Sequence, residues 1–435
     1  MTDLQIGILG LVILLILIIL GMRVAYAVTI VGALGVIMIQ GWSPGTKFIG
    51  YLPSSEVGSY TYSAIPLFVL MGYFTYYAGI ADDLFKTARA WIQHIRGGLP
   101  IATVIASAGF ATVSGASTAS TSVLGKIAIP QMLNSGVDKK LAAGVVAMGG
   151  CLAALIPPST IMIVYGILTE QSISAMLIAG IIPGVVTVLI YILMIYVRAR
   201  MNPNTAPVTK AASWKERFKS LKNTYAMLVL VALVIGGIYF GFFTPTEAAG
   251  IGAIGALIIA LVLRKLSKND FKTALLETTK TTAMIFLIMV GISIFIRFLA
   301  LAGVNTAISN FVVSLPISPL AIIIVMLVFY LILGMFMDAI SMMMLTLPIF
   351  FPVVMELGFH PIWFGILVVK MTEIGLVSPP VGLNCFVVRS VAPKIPLGQI
   401  FIGVLPFIAA EIVVVAILIL MPELVTFLPE MLSKG

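Results

Sequence analysis

Apolar stretches of about 18 residues or more, almost free of charge, recur along the entire chain, the first from residue 6 to residue 20. Each is about long enough to cross a hydrocarbon layer of about 30 Å. The chain is therefore read as an all-α polytopic membrane protein. Composition excludes a soluble core of this size: 61% of residues are hydrophobic, 9% are charged and the mean hydropathy is +1.18, against roughly 45 to 50% apolar and 25% charged in soluble domains.

The first stretch has Asp3 rather than a basic run before it, and Gly21, Met22 and Arg23 lead straight into the next. It is read as a retained helix, not a cleaved signal. The formal charge of +9 would suggest a nucleic-acid partner in a soluble chain, but the basic residues gather in a few loops. That is the positive-inside pattern, so no nucleic acid is expected. Two cysteines, Cys151 and Cys385, and two histidines, His94 and His360, are too few for a metal cluster or a disulfide framework. Both cysteines lie in apolar spans and read as core.

Apolar runs place crossings near 4–21, 24–41, 63–80, 141–169 and 177–197, then near 225–243, 246–263, 281–299, 361–389 and 397–420. The loop 198–223 holds seven Lys or Arg (Arg198, Arg200, Lys210, Lys215, Arg217, Lys219, Lys222) against Glu216 and marks the cytoplasmic side. Arg264, Lys265, Lys268 and Lys272 mark a second cytoplasmic turn. Both termini, and the tail with Glu423 and Glu430, then fall outside.

Segments 99–133 and 319–355 are too long for one crossing and too short for two, and each has small or polar residues in its middle. Both read as re-entrant hairpins. Basic flanks open the first to the cytoplasm, and the uncharged 301–318 loop with Glu356 and His360 opens the second to the periplasm.

An internal repeat supports the scheme. Pro130, Gly136, Pro157 and Pro158 recur as Pro352, Gly358, Pro379 and Pro380 at a constant offset of 222, and Gly32-Ala-Leu-Gly35 recurs as Gly252-Ala-Ile-Gly255 at 220. The first repeat covers 1–223, with hairpin 99–133 and broken helix 141–169. The second covers 224–435, with hairpin 319–355 and broken helix 361–389. Five crossings per half is an odd number, so the second half enters the membrane in the opposite sense. Inverted repeats with broken helices are common in secondary transporters.

The first tip reads Ser114-Gly-Ala-Ser-Thr-Ala-Ser-Thr121. Hydroxyls and glycines at membrane depth need partners other than lipid. The facing break is Ile156-Pro-Pro-Ser159, where two prolines remove two backbone donors and free carbonyls upstream. Freed carbonyls and helix C-termini suit a small cation, and helix N-termini suit a carboxylate. The second half repeats this with Gly334-Met-Phe-Met-Asp338-Ala-Ile-Ser341 and Ser378-Pro-Pro-Val-Gly-Leu-Asn384. Two cation sites are expected: Ser114, Gly115, Ser117, Pro157 and Ser159 at the first pair, and Gly334, Asp338, Ser341, Gly375, Ser378 and Val381 at the second. Substrate is expected between the pairs, with Ser117, Thr118, Pro158, Asp338, Pro380 and Asn384 as candidate contacts.

Two roles are open to Asp338, direct binding of a cation or capping of the following half-helix. Lys126 and Arg297 are the cations considered for an anionic substrate, although Arg297 near a span end could snorkel. Lys370 and Glu373, three apart on one helix, are expected to neutralise each other. Thr244-Pro-Thr-Glu247 reads as a capping box. The run Met342-Met-Met344 reads as core.

Several longer motifs resemble the large membrane subunit of TRAP transporters, the tripartite ATP-independent periplasmic carriers of dicarboxylates and sialic acids. They are Leu155-Ile-Pro-Pro-Ser159 with Tyr165-Gly-Ile-Leu-Thr-Glu-Gln-Ser172, Phe243-Thr-Pro-Thr-Glu-Ala-Ala-Gly250, Gly334-Met-Phe-Met-Asp338, and Glu373-Ile-Gly-Leu-Val-Ser-Pro-Pro-Val-Gly-Leu-Asn384. The resemblance implies an elevator-type carrier of organic acids in a bacterial or archaeal inner membrane, with Na+ as coupling ion and no organic cofactor. It also implies a periplasmic substrate-binding protein and a small four-helix membrane subunit, expected as a separate chain. The first tip departs from the family's usual Gly-Ser-Ser, reading Gly115-Ala116-Ser117, and Ser378 replaces the usual Thr. The first change removes a side-chain ligand, and the second keeps a hydroxyl.

Other classes fit less well. An intramembrane enzyme would need a Ser/His pair, paired aspartates or a His cluster in the spans, and none is present. Broken helices in a repeat favour alternating access over a channel. No GxxxxGK[ST] phosphate loop occurs, so nucleotide is not expected to drive transport. A self-sufficient ion-coupled carboxylate carrier is the remaining alternative.

Overall fold

The structure is a computed structural model, and it describes residues 1–433; Lys434 and Gly435, the end of the second half as read above, lie outside the described residues. Among the described residues every regular element is helical. The first run comprises α1 (Asp3–Ile19), α2 (Val24–Gln40), α3 (Trp42–Val57), α4 (Ala64–Tyr77), α5 (Ile80–Ile92), α6 (Gly98–Ser114), α7 (Ser117–Asn134), α8 (Lys139–Leu155), α9 (Thr160–Leu168), α10 (Ile173–Ala179), α11 (Ile181–Met201) and α12 (Trp214–Leu221). The second comprises α13 (Tyr225–Val231), α14 (Gly237–Tyr239), α15 (Pro245–Val262), α16 (Lys268–Leu301), α17 (Val304–Val313), α18 (Pro319–Gly334), α19 (Ala339–Glu356), α20 (Pro361–Val377), α21 (Leu383–Val391), α22 (Leu397–Leu420) and α23 (Glu423–Ser433).

The order repeats. The pair α6–α7, interrupted only at Gly115–Ala116, returns as α18–α19, and α8–α9 returns as α20–α21. Helices α8 and α9 are bent by 40° at the Pro157–Pro158 break. A missing amide and a ring clash at each proline account for the interruption. The capping box appears as read: Thr244 N donates to Glu247 Oε2 at 2.8 Å and Glu247 N to Thr244 Oγ1 at 3.3 Å, with Pro245 opening the helix.

Among the described residues, five helical segments are long and apolar enough to cross a membrane, up to eight if each bent pair is one span. The remaining apolar runs fold shorter than ten full crossings would need. At a rise of about 1.5 Å per residue, the 17-residue α1 and α2 fall just short of the hydrocarbon thickness. Five helices lie where the sequence shows no long apolar run, one of them α12 inside the basic loop 198–223. Helix α5 buries Ile80, Ala81, Phe85 and Ala88 and turns Asp82, Asp83 and Lys86 outward, so its signal is amphipathic. Helix α3 carries Pro53, the supposed 301–318 loop contains α17, and the acidic tail is largely α23.

The three basic segments meet at one end of the molecule. Lys265 pairs with Asp83 at 3.1 Å, Thr87 donates to the Ser220 carbonyl at 2.9 Å, and Thr209 N donates to the Gln93 carbonyl at 3.2 Å. Towards the centre, small residues let backbones approach. A Cβ on Gly144 of α8 would lie 2.1 Å from the Gly403 carbonyl of α22, so only glycine fits there.

Candidate functional site

The tips of both helical pairs line one cavity of about 640 Å³. From α6–α7 come Ser114, Gly115, Ser117 and Thr118, and from the start of α19 come Asp338 and Ile340. Gly115 ends α6 with φ +66°, and its carbonyl accepts the Thr160 amide of α9 at 3.3 Å. A side chain there would start 2.9 Å from the Pro158 carbonyl. Tip and break of the first half are thus in direct contact. Ser114 Oγ and Ser120 Oγ lie 2.7 Å apart. Ser159 Oγ donates to the Ala154 carbonyl at 2.5 Å and accepts from Met162 N at 3.4 Å, bridging the break.

The second pair is in contact through glycines: a Cβ on Gly334 would lie 2.9 Å from Gly375 Cα. Asp338 caps α19, its Oδ1 accepting the Ser341 amide at 3.0 Å. Ser378 Oγ donates to the Ile374 carbonyl at 2.7 Å. The two breaks differ in exposure, with Pro157, Pro158 and Ser159 buried but Pro379 and Pro380 exposed and Val381 half-buried. Of the candidate residues, Ser114, Gly115, Ser117, Thr118 and Asp338 line the cavity; Pro157, Pro158, Ser159, Gly334, Ser341, Gly375, Ser378, Pro380, Val381 and Asn384 stand outside its lining.

Lys126, in the third turn of α7, lines the cavity together with Glu277, Thr281, Tyr73 and Tyr76. Glu277 escaped the sequence reading because the apolar run of α16 begins only after it. Arg297 is elsewhere, its guanidinium 5.4 Å from the centre of the Phe48 ring.

Lys370 and Glu373 do not neutralise each other. Lys370 pairs with Glu411 of α22 and donates to Thr187 Oγ1 at 3.1 Å, while Glu373 Oε1 accepts from Ser117 Oγ at 2.8 Å. Each charge finds a partner on another helix, because both are fully packed and cannot lean along their own helix surface. Tyr191 of α11 donates to Glu411. The only sign of Glu411 in sequence is one carboxylate inside a 24-residue apolar helix. One further contact joins positions separated by the offset that holds on either side of it: the Cys151 thiol reaches the Glu373 carbonyl, 222 residues apart. The seam between the halves therefore runs through α8 against α20 and α11 against α22.

A family model for the tripartite ATP-independent periplasmic transporter, DctM component, matches residues 11–424. The C4-dicarboxylate TRAP transporter large permease protein DctM of Pseudomonas aeruginosa is 38% identical over 405 residues, 93% of this chain and 94% of that one. The sialic acid TRAP transporter large permease protein SiaM of Vibrio cholerae is 30% identical over 413 residues, 94% and 95% of the two chains. In three dimensions the fold is similar to the Alcanivorax borkumensis YdaH transporter, with TM-score 0.58 at 13% identity over 91% of this chain and 90% of that one. It is also similar to Neisseria gonorrhoeae MtrF, with TM-score 0.56 at 13% identity over 86% and 84%.

Proposed function

Because the chain belongs to the tripartite ATP-independent periplasmic transporter family, as its DctM component, we propose that it is the membrane-embedded subunit of a sodium-coupled importer of an organic acid. A periplasmic binding protein delivers the acid, a separate four-helix membrane subunit completes the assembly, and the cytoplasmic face of the inner membrane carries the basic loops. The halves 1–223 and 224–435 act as inverted repeats, and the substrate moves in an elevator-like step.

The observation that carries this reading is the cavity between the two tips, with the Lys126 ammonium on its wall. Both compound classes named for the relatives, C4-dicarboxylates and sialic acids, present a carboxylate. A charge-assisted contact from Lys126 holds it. The freed carbonyls and hydroxyls beside Gly115 and Asp338 hold sodium, and most ligands are backbone oxygens whose positions depend on glycine and proline.

Uptake in proteoliposomes holding the chain with its small subunit and a cognate binding protein tests the reading. A C4-dicarboxylate or a sialic acid should accumulate with a sodium gradient and stop when choline replaces sodium. Lys126→Ala should lower uptake by about tenfold or more, with Lys126→Arg retaining part of it. Uptake that survives in choline but collapses with the proton gradient would overturn sodium coupling, and undiminished uptake without the binding protein would favour a self-sufficient carrier. Sidedness is tested separately: a cysteine placed at Lys210 should label only from the cytoplasmic side, and labelling from the periplasm would reverse the topology.

A further inference from the structure

Buried charge does not balance on the seam between the halves. Lys370 is 2% exposed and already paired with Glu411, also 2% exposed, while Glu373, again 2% exposed, has no cation of its own among the described residues. With all three groups ionised, the cluster holds one negative charge more than it has cations. Burying an isolated carboxylate is costly enough that such a group is normally paired, bound to a metal ion or neutralised.

The hydrogen bonds point to the same place. Oε1 of Glu373 accepts from Ser117, but Oε2 is buried without a partner. Asn384, fully buried, donates through Nδ2 to Cys151 Sγ at 3.2 Å, and its Oδ1 is likewise without a partner. Both residues border Cys151, whose thiol accepts from Asn384 and reaches the backbone carbonyl of Glu373 at 3.8 Å. A buried water could satisfy two acceptors but would leave the charge. A small cation answers both needs.

We infer that Glu373 and Asn384, with the Ser117 hydroxyl beside them, bind one sodium ion on the seam between the two halves, where the first tip meets the second broken helix. The inference rests on the sodium-coupled reading above, but its charged ligand, Glu373, belongs to neither expected site. Bound there, the ion would join the tip of α7 to α20 and α21 through one carboxylate. Loading the site would therefore fix the first hairpin tip against the second half. Nearby titratable groups have other partners: Lys370, Glu411 and Tyr191 are bonded to one another, and Cys385 donates to the Val377 carbonyl at 3.4 Å.

The test is to count bound ²²Na⁺ on the purified full chain in lipid nanodiscs, for wild type, Glu373→Gln and Asn384→Ala, with Glu216→Gln in the exposed basic loop as a control. Glu373→Gln should bind one sodium fewer per chain. Asn384→Ala should weaken one class of site by about tenfold or more, and it keeps the test open if Glu373→Gln does not fold. The control should match wild type. If both seam variants bind as many ions as wild type with unchanged affinity, the seam site is wrong while sodium coupling stands. If they do so and Glu373→Gln also removes the infrared carbonyl band of a protonated acid, a proton takes the place of the ion, which overturns the inference. If wild type binds no ²²Na⁺, the sodium-coupled reading fails together with it.

Discussion

Replacing Lys370 with Met is expected to destabilise the folded protein by about 3–5 kcal/mol, the cost of removing one partner of a buried ion pair and leaving the other charge uncompensated. Lys370 and Glu411 are paired deep inside, with side-chain exposures of 3% and 2%. The double substitution Lys370→Met with Glu411→Gln should recover most of the loss. It removes both charges and leaves a carbonyl to accept from Tyr191, at the smaller cost of burying a neutral amide NH₂. Glu411→Gln alone strands the ammonium, for which Thr187 Oγ1 at 3.1 Å is a weak substitute. Thermal melts of detergent-solubilised protein, read by fluorescence size exclusion, decide the matter. A double variant no more stable than Lys370→Met would mean that the pair acts through packing rather than charge.

Gly115→Val should abolish sodium-dependent uptake while leaving insertion into the membrane intact. At φ +66° a side chain costs roughly 1–2 kcal/mol in strain. Its Cβ would also begin 2.9 Å from the Pro158 carbonyl, which belongs to a backbone that cannot rotate away as a side chain would. The tip would be forced off the break and the Thr160 amide would lose the Gly115 carbonyl. Gly115→Ala should cause an intermediate loss. Both are read as initial rates in proteoliposomes, normalised to protein recovered from the membrane. Wild-type rates for Gly115→Val would place the cation sites elsewhere.

Much of this architecture is legible in the residues because a membrane forces the backbone to declare itself. Pairs of prolines within apolar runs announce breaks, and glycine with serine at mid-depth announces a tip. The offset of 222 between Pro157 and Pro379 ties the halves together before any coordinates are known. Helix α5 is less visible, since a half-apolar helix dilutes its own hydropathy. The partners of the buried charges were not legible at all. Spacing along α20 places Lys370 beside Glu373, but packing against α22 and α7 decides which carboxylate each side chain meets, and sequence alone does not encode that choice locally. For the same reason Lys126 could be named as a candidate cation, whereas its sharing a wall with Glu277 depends on how α7 faces α16.

The contact between equivalent positions, Cys151 with Glu373, carries a consequence for how such a protein can be built. On a two-fold axis formed by identical chains, each residue would meet its own copy. A carboxylate at this place would then stand opposite a carboxylate, and a lysine introduced to compensate would arrive twice. Joining the halves in one polypeptide lifts that restriction. The two sides of the axis are free to become donor and acceptor, here a thiol against a carbonyl. A single negative charge can then be held at a location where a symmetric dimer could hold only none or two.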